Sequence, residues 1–124
     1  MGLFHAGVQI VRTTIRNELR LKPIARRATR EVTEFLQAKA VSYRAVEVWL
    51  GLAGPEGLRC VVFVPNDETK AQCESGGYVP VLSGLFRNAL VQLGYPAAAV
   101  PGVGLTVHSD ESIRRAGGQH RYFN

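Results

Sequence analysis

The apolar residues of this chain first change their spacing close to Tyr43, from the three- and four-residue step of a helix to the two-residue step of a strand. That switch calls for helices in the first third and a sheet after it. Upstream, Val8, Val11, Ile15 and Leu19 recur at helical intervals over residues 6–21. Ile24, Ala28, Val32, Phe35 and Leu36 do so over 24–40. Between them Pro23 disfavours helical backbone at Lys22 and suits the first turn of a new helix, so the spacing predicts two helices with a break.

Downstream, Val46, Val48, Leu50 and Leu52 share one strand face and Glu47 and Trp49 the other; after a turn over 53–57, Leu58, Cys60, Val62 and Val64 alternate again. This is the pattern of a β-hairpin. Trp49, Val61 and Phe63 fall on its second face, which is therefore expected to be covered in part by a helix. The polar stretch 65–78 has loop or short-helix character with Asn66 or Asp67 as a cap, and its length marks it as a candidate for partner contact. Leu82, Leu85, Phe86, Ala89, Leu90 and Leu93 predict a crossover helix opened near Pro80 and stopped by Gly94. Val103, Leu105 and Val107 alternate with Thr106 and His108 as a further strand. Ser109 as N-cap, Asp110 and Glu111 in the first turn, Arg114 and Arg115 in the last, and Gly117 and Gly118 beyond define a short helix. Residues 119–123 read as a final strand. The order α-α-β-β-α-β-α-β is α+β, with an antiparallel or mixed sheet, in a single domain over 1–124.

Composition bounds the class. With 124 residues, 46% hydrophobic and 20% charged, one core is expected that needs neither disulfide nor metal. No run approaches the roughly 20 apolar residues of a membrane-spanning helix. The first ten residues have no basic leader or cleavage pattern of a secretory signal, although an Arg-rich, acid-poor beginning also suits an organellar transit peptide. Two cysteines make no disulfide framework: Cys60 alternates with strand residues as a core hydrophobe, and Cys73, in a polar stretch, is expected to be an exposed thiol. A reducing cytoplasm is the simplest compartment.

The net charge of +5 is uneven. Residues 1–44 hold nine basic and three acidic side chains, residues 45–124 six and seven. Arg12, Arg16 and Arg20 recur every four residues as a one-sided row about 12 Å long, which Arg26 and Arg27 extend. Arg27 with Glu31 and Arg30 with Glu34 are spaced to pair one turn apart. Such asymmetry favours an anionic partner without choosing among protein, nucleic acid and lipid.

Motifs for catalysis are sparse. The glycines at 54, 57, 102 and 104 do not open a helix at phosphate-cradling spacing, and there is no His-x-x-x-His metal pair and no Gly-x-Ser-x-Gly elbow. His108, His120 and Arg121 form the one group with the chemistry for acid–base cleavage of a phosphodiester. No cofactor or metal is expected. The sequence thus points to a non-enzymatic macromolecular interaction protein of the immunity, adaptor or assembly-subunit type. Its partner would be another protein, met through the basic helix (Arg12, Arg16, Arg20, Arg26, Arg27) and the polar segment (Asp67, Glu68, Lys70). The alternative is a nucleic-acid binder or small ribonuclease on the same basic face, although the aromatic residues of single-strand platforms are missing there. Self-association stays open.

Overall fold

The computed structural model describes residues 2–51 and 53–124, with the side chains of its first helix described at Arg12 and from Ile15 onward. Leu52 and the apolar positions Val8 and Val11 therefore lie outside the described side chains. In place of two helices there is one, α1 (Gly2–Ala38), which continues through Pro23. Proline removes one backbone hydrogen bond and crowds the carbonyl four residues earlier. Here Pro23 is exposed and that carbonyl belongs to Leu19, itself on the solvent side. Burial of Leu21, Ala25, Ala28, Val32 and Leu36 along one stripe offsets that cost. It ends where Ala40 takes a left-handed conformation (φ 54°) and the Val41 amide reaches back to the Leu36 carbonyl at 2.9 Å.

Strand β1 (Ala45–Trp49) pairs antiparallel with β2 (Arg59–Val64), and β2 pairs in parallel with β3 (Gly104–Ser109), so the sheet is mixed in the order β1-β2-β3. The hairpin stands as expected, although β1 stops at Trp49. The polar segment after β2 is helical: α2 (Asp67–Ser75) starts at Asn66, whose side chain accepts the Thr69 amide at 2.8 Å. With α3 (Tyr78–Gln92) it makes the crossover to the parallel neighbour, a connection that antiparallel hairpin turns cannot supply. Gly94, at φ 92°, ends the crossover.

Short helices α4 (Asp110–Arg115) and α5 (Gln119–Phe123) follow β3. The expected last strand is thus a helix. Its alternation put His120 and Tyr122 opposite Arg121 and Phe123, but Tyr122 and Phe123 both pack on the second sheet face with Val61, Phe63 and Ile113. The main core lies on the other face, where Val48, Cys60, Val62, Val64, Leu105 and Val107 meet α1 and α3. The result is three layers, long helices on one side of the sheet and the short terminal pair on the other. Cys73 is fully buried, contrary to the exposed thiol expected from its polar neighbours: α2 turns it inward, and burial raises its pKa above the ordinary range.

Candidate functional site

Among the described side chains of α1, Leu21 is the first covered by the core, at 1% exposure, whereas Ile15 and Leu19 are 54% and 76% exposed. At about 100° per residue, Ile15 and Leu19 sit roughly 120° around the helix from the buried stripe. Because the helix is continuous, that offset cannot be turned away by a break at Pro23. Ile15 and Leu19 consequently face off the domain, and large exposed apolar side chains one turn apart are the exception on a solvated helix. Arg12, Arg16 and Arg20 run beside them, and all three are exposed, as are Arg26 and Arg27. Among the described residues none of these five arginines is in an ion pair. The expected Arg27 to Glu31 pair is absent from them, while Arg30 Nε meets Glu34 Oε1 at 2.8 Å and Lys22 meets Glu18 at 3.4 Å.

The same side of α1 leads into a cleft of about 530 Å³ walled by Lys22, Arg26 and Thr29 and by Val46, Glu47, Val48 and Trp49 of β1. A strand shows alternate residues to either face, so a cavity lined by four consecutive ones sees the strand edge-on. β1 is an outer strand. Sequence reasoning missed this feature, since edge position is decided by pairing and not by periodicity.

The polar segment behaves otherwise. The Asp67 carboxylate accepts from Ser109 Oγ, accepts from Ser112 Oγ at 2.6 Å, and pairs with Arg115 at 2.7 Å; the Asp67 amide donates to Glu111 at 3.1 Å. The Ser109 bond first, then Ser112 and Arg115, holds the Asp67 carboxyl far below the usual carboxylate range. This network lies past the carboxyl ends of parallel β2 and β3, where open α/β sheets place ligands. Here the chain's own side chains fill that place. Lys70 approaches Glu74 at 3.9 Å, and Glu68 is exposed. Arg44 adds a second tie, donating Nε to both Asp110 oxygens at 2.9 and 3.1 Å with its guanidinium 4.6 Å from the centre of the Phe63 ring.

His108 is half-buried and uses both ring nitrogens, Nδ1 with the Tyr122 hydroxyl at 2.8 Å and Nε2 with Thr106 Oγ1 at 2.9 Å. Burial, then the charge of Lys70, pushes its pKa below the ordinary value. Its ring also packs 4.8 Å from Phe123. His120 is exposed on α5 and bonds to Asn124, and no hydrogen bond or ring contact among the described residues joins it or Arg121 to His108. The three residues of the acid–base reading are not brought together by any such contact. Among the described residues no cluster of three His, Cys, Asp or Glu side chains is arranged to hold a metal, and no helix is long and apolar enough to cross a membrane. Comparison of the chain with family models, curated proteins and solved structures finds no match.

Proposed function

We propose that this is a non-enzymatic macromolecular interaction protein that docks on another protein through the leading half of α1. What carries the reading is the pair Ile15 and Leu19, exposed beside Arg12, Arg16 and Arg20, which have no acidic partner among the described residues, on a helix whose described side chains enter the core from Leu21 onward. An amphipathic helix of this kind fits an apolar groove with an acidic rim, where the apolar anchors supply affinity and the cations set orientation and partner choice. The α2 segment contributes less than its sequence suggests, because Asp67 is already committed to Ser109, Ser112 and Arg115.

The test is a photo-crosslinking residue placed at Leu19, with a second at the exposed Gln92 of α3 as control. A discrete protein adduct from position 19 that is absent from 92, and that falls about tenfold when Arg12, Arg16 and Arg20 are changed to Glu, is expected. Adducts made of RNA or DNA, with affinity falling steeply as salt is added, would replace this reading by the nucleic-acid alternative. Equal adducts from both positions would remove α1 from consideration.

A further inference from the structure

We propose that the cleft between α1 and the outer edge of β1 is a strand-addition site for an extended, acidic segment of a partner protein. It rests on the reading of the chain as an interaction module, though not on the role given to the leading half of α1.

Three observations converge on it. The cleft is lined by the consecutive residues Val46 to Trp49, which places the edge of the strand, not a face, on its wall. An outer strand leaves the outward N–H and C=O groups of alternate residues without a sheet partner, and among the described residues no bond from outside the β1–β2 ladder reaches the backbone of Ala45–Trp49. An extended peptide satisfies those groups directly, gaining main-chain affinity while its side chains read what flanks the edge. Here the flank is cationic. Arg26 has no acidic partner among the described residues, and Lys22 is held by a half-exposed pair with Glu18 at 3.4 Å, which an incoming carboxylate can exchange. The single acid of the wall, Glu47, is turned to Trp49, accepting its indole N–H at 3.0 Å.

A second copy of this chain is the rival occupant, and Glu47 argues against it. In an antiparallel pairing of β1 with itself about its middle residue, Glu47 would stand directly opposite Glu47 of the other copy, and like charges so placed repel. A foreign strand carrying Glu or Asp meets Lys22 and Arg26 without that penalty. The volume of about 530 Å³ suits a few residues of extended chain, not a helix, whose diameter with side chains is about 10–12 Å.

The probe is a terminally blocked peptide of roughly six residues alternating valine with glutamate, compared with one alternating valine with lysine, each added to the full chain. Amide exchange followed by NMR is the readout. Outward-facing amides within 45–49 should exchange more slowly with the glutamate peptide, which should bind about tenfold tighter than the lysine peptide. The double variant Lys22→Glu with Arg26→Glu should reverse that order, and its circular dichroism reports whether the fold is kept. If β1 amides gain no protection, or gain it equally from both peptides, the proposal is overturned. Protection that grows with protein concentration and without peptide overturns it in favour of self-pairing. Changes confined to residues 12–20 overturn the cleft while leaving the docking role of α1 standing, and the Arg12, Arg16, Arg20 variant should leave peptide binding at the cleft intact.

Discussion

At Ser109 one buried hydroxyl serves two helices: it accepts the Ser112 amide at 2.9 Å as the N-cap of α4 and donates to Asp67 in the first turn of α2. Ser109→Ala removes a cap and a bond to a charged acceptor together, so unfolding in urea should show a loss of about 1–3 kcal/mol. The pH response follows from two depressed groups. Asp67, lowered from an ordinary 3.8, contributes stability that is complete above that value and is lost as pH falls through its folded pKa. His108, lowered from 6.5, likewise favours the folded state above 6.5, and the contribution is lost on acidification below it. Denaturant midpoints should therefore decline from about pH 7 downward, with a further decline below about pH 4, and His108→Phe should flatten only the upper part. A profile in which the variant declines as steeply as the parent between pH 7 and about 5 would show that His108 is not the titrating group.

The elements show where sequence patterns suffice and where they fail. Alternation located β1, β2 and β3, and the Ser109 cap with Gly117 and Gly118 located α4, because each signal depends on neighbours a few residues apart. Pro23 misled, since a proline's cost of about 3 kcal/mol inside a helix is local whereas the burial that offsets it comes from α3 and β1, far along the chain. Residues 119–123 misled for the related reason that five residues hold too little pattern to separate a strand from a turn and a half of helix; packing of Tyr122 and Phe123 against the cluster of Val61, Phe63 and Ile113 decides. Pro23→Ala should accordingly raise stability, by roughly 1–3 kcal/mol in urea. Lower stability in that variant would mean that α1 does not run unbroken through this position.

At the scale of the molecule, the buried set among the described residues begins at Leu21 and closes at Ile113, so the hydrophobic core makes no demand on Ile15 or Leu19. Changing Ile15 and Leu19 together to Ser should leave the melting temperature within a few degrees of the parent, about 1 kcal/mol or less, while weakening binding of the partner captured through α1 about tenfold. A collapse of the fold in that variant would mean that the two side chains are structural. The basic row was legible in the sequence from its four-residue repeat, but its exposure was not, because only the buried stripe of Leu21 to Leu36 fixes which way Ile15 and Leu19 look. The cleft was illegible for a deeper reason: nothing along the chain says which strand ends a sheet. One helix thus joins the two places proposed for docking, running unbroken through Pro23 between them. A visitor gripping the leading turns would have its bearing toward the free strand set in advance, as a handle fixes the aim of a blade.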